Sequence, residues 1–400
     1  MPKISDRGQR MPASPIRRLV PYAEAAKSSG TMVYHLKIGQ PEIATAPAFW
    51  EGIAGYREKV LAYSHSAGLA SYRQAYADQL NVKGYGLDAE DVLISTGGSE
   101  ALIMAMMACF DPGDEILIPE PFYANYNGFA AMGGVVLRPF TTLIEENFAL
   151  PAVEDLGAAI GPRTRAIMIC NPNNPTGTLY TRQELAGLAA LAKAHDLFLI
   201  ADEVYREFVY DGLEHDSILG LEGLEDHAVV VESTSKMYSA CGARIGALIT
   251  RNRELMETVL KYAQARLSPP TLDQTGALSA LLNTGRDYFD AVRAEYVARR
   301  NTMVQALNAL PGVQCPLPGG AFYAVARLPI DDSDAFCQWM LEHHRHDGAT
   351  VMMAPATGFY ATPGLGKQEV RLAYVLDQSS LVRAMECLAT GLEAYLNKVQ

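Results

Sequence analysis

The chain has 400 residues, 49% of them apolar and 20% charged, and a formal net charge of -12. That length exceeds one compact core, so two domains, or one large domain with an appendage, are expected. The acidic balance argues against general nucleic-acid binding and against anionic membrane surfaces, so any anionic ligand must be held by a few placed basic groups.

Basic residues near the N-terminus come without the apolar core of a signal peptide. The longest apolar run, A-L-I-M-A-M-M-A-C-F at 101–110, is about half the ~20 residues of a membrane span. It reads instead as a helix over about 100–110, opened by S-T-G-G-S at 95–99. From about 92 to 250, short apolar runs alternate with helix-like stretches. Strands are expected at 116–118, 166–170, 197–201, 229–231 and 247–249. Between two of them, T-R-Q-E at 181–184 is a capping box that starts a helix. Strands with few polar positions, alternating with helices, predict an α/β fold with a mostly parallel sheet covered on both faces.

A long helix over roughly 286–308 connects this unit to the tail. There, strands at 320–328, 350–355 and 369–375 are separated or followed by helices at about 333–346 and 379–397. This predicts a smaller α+β domain, joined by the N-terminal segment. The expected division is 46–300 for the large domain, with 1–45 and 301–400 for the small one. Six cysteines without short pairing suit free thiols in a reducing cytoplasm.

Ligands of open α/β sheets bind beyond the carboxyl ends of the strands, so polar residues just past each strand are the candidates. N-P-N-N-P-T-G (171–177) follows one strand, Asp202, Glu203 and Tyr205 another, and Ser233, Ser235 and Lys236 a third. S-T-G-G-S opens a helix, whose free N–H groups and dipole suit a phosphate. Each has a plain structural reading: a helix cap, a stiff turn, an ion pair, a core tyrosine, or a lysine reaching to solvent. With Arg244 counted, a carboxylate, an amide, a phenol, a lysine, an arginine and a Gly-Gly-Ser helix start share one rim, and six such groups make coincidence a poor account. A desolvated lysine, a phosphate cradle and a carboxylate for a pyridinium nitrogen are what pyridoxal phosphate requires.

In their order and spacing, seven motifs resemble the fold type I pyridoxal-phosphate enzymes, specifically the class I/II aminotransferases of the aspartate aminotransferase family. They are I-G-Q-P (38–41), G-G-S-E-A (97–101), P-F-Y (121–123), N-P-N-N-P-T-G, A-D-E-V-Y (201–205), S-x-S-K-x7-R (233–244) and R-L-A-Y (371–374). The resemblance implies that Lys236 carries the Schiff base and moves the substrate Cα proton, and that Asp202 pairs with the ring nitrogen. Asn174 and Tyr205 would bond the ring 3′-oxygen, and Tyr123 would stack on the ring. The Gly98 and Ser99 amides, Ser233 and Arg244 would hold the phosphate. Arg371 would grip the substrate α-carboxylate beside Asn174, and Gly39 would allow a close approach to the substrate. Tyr63 matches a tyrosine that reaches the neighbouring subunit's phosphate, which implies a homodimer with shared sites.

Some relatives that favour acidic substrates carry a lysine where this chain has Ser99. Arg266 and Arg17 are therefore the candidates for reading a second carboxylate. The implied reaction moves the amino group of an L-amino acid, aspartate first, to a 2-oxo acid such as 2-oxoglutarate; aromatic amino acids and alanine come next. A carbon–sulfur β-lyase on the same scaffold is an alternative, since both reactions start by removing the Cα proton. A ligand-sensing regulator without turnover is a third reading. H-H-R-H at 343–346 lacks companion ligands at metal spacing and reads as a solvated helix end. G-L-G-K at 364–367 lacks the spacing of a phosphate-binding loop and reads as a turn.

Overall fold

The computed structural model describes residues 2–399. Its centre is a seven-stranded sheet in the order Val92–Ser95, Gly246–Ile249, Ala228–Ser233, Phe198–Asp202, Thr164–Cys170, Glu115–Glu120 and Val136–Thr141. Gly246–Ile249 runs antiparallel to both its neighbours, and the other strands pair in parallel. All five strands expected in this region are present.

Side chains along a strand alternate between faces, so a sheet with two apolar faces must be covered on both. Met168, Ile200, Val229 and Val231 point to one side and pack with Leu102 and Met104 of the helix Gly98–Cys109. Ile167, Ile169, Leu199 and Val230 point to the other and pack with Leu185 and Leu188 of the helix Arg182–Ala194. These side chains are almost fully buried, and each contributes on the order of 1.5–3 kcal/mol. The second helix starts at the expected capping box. Thr181 Oγ1 accepts from the Glu184 N–H at 3.2 Å, and the Glu184 carboxylate accepts from the Thr181 N–H at 2.7 Å.

Towards the C-terminus, Ala354–Pro355, Glu369–Ala373 and Tyr323–Arg327 form an antiparallel three-stranded sheet. Met32–His35 pairs in parallel with Ala349–Met352, which ties the N-terminal segment to the tail. The helix Arg286–Asn308 runs past both regions. Tyr288 donates to the Ala44 carbonyl at 3.2 Å, and Arg299 donates to the Val375 carbonyl. Arg300, 1% exposed, makes a bidentate pair with Asp211 at 2.7 and 2.9 Å.

The histidine run departs from the expected solvated helix end. The helix Ser333–Glu342 stops before it, and His344 turns inward. Its ring lies 5.9 Å from Trp339, with Nε2 3.0 Å from Thr390 Oγ1. Burial lowers its pKa, so it serves as a neutral packing group. Residues 364–367 form the expected turn, with Gly364 and Gly366 at positive φ. Among the described residues no helix is long and apolar enough to cross a membrane.

Candidate active site

A cavity of about 700 Å³ lies where the parallel strands end, roofed by residues 11–17 and 37–40. The register puts Cys170 beside Asp202, so the segments following these two strands leave the sheet at one level. Asp202 therefore sits at the cavity floor and Asn174 at its side. Lys236 enters from the next strand, on the short helix Thr234–Met237 capped by Ser233.

Asp202 has no ion-pair partner among the described residues. Its Oδ2 accepts from the Tyr126 hydroxyl at 2.7 Å, and its Oδ1 accepts weakly from the Val204 N–H at 3.4 Å. Burial pushes its carboxyl up to about 6, and the Tyr126 hydroxyl opposes that rise. The Lys236 ammonium donates to the Gly39 carbonyl at 2.7 Å and lies 3.9 Å from Cys241 Sγ. Burial lowers its pKa below the usual lysine range, with the Arg244 and Arg371 charges acting in the same direction. A lysine so placed gives up its proton more readily and becomes a nucleophile.

The helix Gly98–Cys109 begins with no side-chain cap, its N–H groups facing the cavity at Gly98 and Ser99. Arg244, in the left-handed region at φ 54°, crosses this helix start. It donates to Ser235 Oγ at 3.3 Å and to the Cys241 carbonyl at 3.0 Å. Gly97 has to be glycine: φ is +79°, and a Cβ there would lie 2.2 Å from the Arg244 guanidinium. A free helix start beside an arginine is an anion site. Tyr123 lines the adjacent wall, its hydroxyl accepting from Asn125 Nδ2 at 2.7 Å.

Arg371 comes from the C-terminal three-stranded sheet and is 2% exposed. It donates to Asn174 Oδ1 at 3.2 Å and to the Lys37 carbonyl, while its buried Nε has no partner. The guanidinium is held between the rings of Tyr323 and Phe359, at 4.7 and 4.9 Å. No carboxylate stands within ion-pair distance among the described residues. A buried cation in that condition is costly until an anion joins it.

Of the residues singled out in the sequence, Gly39, Gly98, Ser99, Tyr123, Asn174, Asp202, Tyr205, Ser233, Lys236, Arg244, Arg371 and Arg17 all line this cavity. Gly39 is there for a close approach, since a Cβ would fall 1.6 Å from the Tyr323 hydroxyl. Tyr63 is 82% exposed and stands away from the cavity of its own chain. Arg266 is a correction. It lies outside the cavity, turned to Glu100 at 3.4 Å and to the Ile94 carbonyl at 3.2 Å, because Glu100 offers it a charge.

Sequence reasoning missed Tyr126, Tyr323 and Lys37. Tyr323 Oη lies 3.0 Å from Tyr205 Oη, which in turn accepts from Asn174 Nδ2 at 3.4 Å. The spacing P-F-Y-x-x-Y signalled Tyr126: a tyrosine near the start of a helix beside a strand end is within reach of the next strand's carboxylate.

The buried carboxylate without an ion-pair partner, the depressed lysine and the uncapped helix start fit pyridoxal phosphate as a group. Residues 31–388 match the family model for aminotransferase class I and II. The chain is 30% identical to an aspartate/prephenate aminotransferase of Thermus thermophilus, over 96% of this chain and 98% of that protein. It is equally similar to aromatic-amino-acid aminotransferase 2 of Thermococcus litoralis, with 96% of each chain covered. The solved structure of aspartate aminotransferase from Thermus thermophilus with maleate superposes with a TM-score of 0.89 at 30% identity, covering 98% of this chain and all of that one. The chain belongs to the class I and II aminotransferases, a family of pyridoxal-phosphate-dependent transferases that act on amino acids and oxo acids.

Proposed function

We propose that the protein exchanges the amino group of an L-amino acid, aspartate first, with a 2-oxo acid such as 2-oxoglutarate, in a ping-pong cycle on pyridoxal phosphate. The observation that carries this reading is Arg371, a buried guanidinium without an anion, bonded to Asn174. Its fork matches an α-carboxylate and would hold the substrate Cα near Lys236.

Pyridoxal phosphate supplies an aldehyde carbon for an amine to condense with and a ring that withdraws electrons from the substrate Cα. Arg244, Ser233 and the Gly98 and Ser99 amides would hold its phosphate, and Asp202 its ring nitrogen. Asn174 and Tyr205 would hold the ring oxygen, with Tyr123 against the ring face. Lys236, lowered in pKa by burial, would serve first as the amine that anchors the aldehyde carbon. Once displaced by substrate, the same amine would take the Cα proton and hand it to the cofactor's former aldehyde carbon. Asp202 would stay ionised there, because a protonated ring nitrogen facing it would reverse the effect of burial.

We further propose a homodimer in which the exposed Tyr63 reaches the neighbouring cavity, in keeping with a family that is typically dimeric. The division into 46–300 and 1–45 with 301–400 places Arg371 and Lys236 on different domains, so closure on substrate would exclude water. Six free cysteines support a cytoplasmic setting. An aromatic substrate is the second reading, favoured by Leu102, Phe129 and Met132 on the cavity wall.

The test adds L-aspartate, aromatic L-amino acids and L-alanine in turn to cofactor-loaded protein and follows the cofactor chromophore. Conversion to the amine form, with the oxo acid released, is the expected result. Pyruvate, ammonia and thiol from a cysteine-type substrate would instead indicate the β-lyase. Bound cofactor with no conversion by any amino acid would indicate a sensor.

A further inference from the structure

Glu120 ends the strand Glu115–Glu120, three residues before Tyr123, and is fully buried without lining the cavity. Among the described residues no cation stands within ion-pair distance of it. Three hydrogen bonds take the place of a counter-charge. Oε1 accepts from Thr141 Oγ1 at 2.9 Å, on the neighbouring strand of the same sheet. Oε2 accepts from two main-chain N–H groups of the C-terminal region, Ala361 at 2.8 Å and Thr362 at 3.0 Å. Bonds to a carboxylate are about twice as strong as neutral ones, so this is a firm clasp across the proposed domain boundary.

The clasp holds the turn that carries Phe359. The Phe359 carbonyl accepts from the Phe122 N–H at 2.8 Å, so the two segments are joined on both sides of Tyr360. The Phe359 ring is fully buried against Ala124, Ala354 and Ala356, and its centroid lies 4.9 Å from the Arg371 guanidinium. Tyr323, on the other face of that guanidinium, needs no such help, because its strand pairs directly with the strand of Arg371. Phe359 sits outside the sheet, on the short helical turn Ala356–Phe359. Its own region ties that turn by side chains, Thr357 to Asp334 at 2.7 Å and Tyr360 to Glu369 at 2.6 Å. Glu120 and Phe122 hold its main chain from the large sheet.

We infer that Glu120 is a positioning residue for carboxylate recognition: from the large sheet it fixes Phe359, and through Phe359 the plane of the Arg371 guanidinium. On the reading of Arg371 as the grip on the substrate α-carboxylate, which this inference rests on, that plane decides affinity. A bidentate fork forms both its bonds only when guanidinium and carboxylate are coplanar. Glu120 itself touches neither substrate nor cofactor.

The test compares Glu120→Ala, Glu120→Gln and Phe359→Leu with wild type, all loaded with cofactor. Maleate is titrated by calorimetry, since it has no amino group and its binding needs no turnover. Glu120→Ala should weaken maleate about tenfold, the usual value of a charge-assisted bond, and raise KM for the amino acid by the same factor. Its kcat should stay within about threefold of wild type, as should the affinity of the cofactor-free protein for pyridoxal phosphate. Glu120→Gln keeps an acceptor for the two amides and should restore most of the loss. Phe359→Leu should reproduce the loss, and adding Glu120→Ala to it should weaken maleate little further. Glu120→Asp, one carbon shorter, carries the test with the same expected loss should Glu120→Ala fail to fold. Unchanged maleate binding in these Glu120 variants, with a lowered urea midpoint as their only defect, overturns the inference. So does a loss of kcat or of cofactor affinity larger than the loss for maleate, which would place the effect in the Tyr123 wall. Maleate binding that falls as expected in a protein that converts no amino acid would overturn the proposed function and leave the role of Glu120 standing.

Discussion

The two halves of the cavity are built on different principles. The half at the strand ends of the large sheet is internally satisfied: Asp202 bonds Tyr126, Lys236 bonds Gly39, and Ser233 caps the helix of Lys236. The half made from the N-terminal segment and the C-terminal sheet holds a buried cation with nothing to neutralise it, Arg371. The first half is suited to a resident group that must be held in one geometry. The second is suited to ligands that come and go, because each arriving carboxylate satisfies a charge that the empty site leaves unpaired. Substitutions in the two halves should therefore fail differently, in rate on one side and in substrate affinity on the other.

The largest effect is expected at Lys236. Lys236→Ala removes both the anchoring amine and the proton carrier, so transamination should fall by about 10⁴-fold or more, with the imine absorbance lost. A variant that transaminates at the wild-type rate would sink the central reading. Asp202→Asn comes next, with a fall of roughly 10²- to 10⁴-fold in single-turnover rate, because an amide cannot hold a ring nitrogen in its protonated form. Substrate affinity should change little in either protein. If affinity fell as much as rate, the division between the halves would not hold.

On the other side, Arg371→Lys keeps a charge but loses the fork stacked between Tyr323 and Phe359. We expect kcat/KM to drop about 10- to 100-fold, most of it in KM, while cofactor binding stays as in wild type. A loss confined to kcat would place Arg371 in the chemistry instead of in substrate capture.

The same contrast explains what could be read from sequence. The strand-end half was legible because each functional group follows its own apolar run, so local order encodes spatial order. Lys236, Asp202 and Asn174 are of this kind. The substrate half draws on residues near 17, 37 and 371, brought together by the pairing of Met32–His35 with Ala349–Met352. No local pattern encodes a pairing over some three hundred residues, and Lys37 looks like an ordinary strand-end lysine. Val136–Thr141 escaped for a different reason. Pro139 breaks its pattern, which is tolerated because it is the edge strand. Arg266 was misread because a sequence offset cannot show that Glu100 would claim it.

The smallest effect, and the finest test of the satisfied half, is Tyr126→Phe. The hydroxyl donates to Asp202 Oδ2 at 2.7 Å and holds down a carboxyl that burial has already raised to about 6. Removing one such bond should cost about 3- to 10-fold in rate. It should also move the pH dependence of stability in a direction fixed by linkage. In cofactor-free protein Asp202 binds its proton more tightly when folded than unfolded, so its contribution is favourable at low pH. That contribution is lost as pH rises from about 4 through about 6, roughly 3 kcal/mol at most. In Tyr126→Phe the window should extend to higher pH, and in Asp202→Asn it should vanish. Urea midpoints of the three proteins across this range, each taken relative to Asp202→Asn, isolate the one carboxyl. A window that stays in place would mean that the Tyr126 hydroxyl only fills space beside Asp202.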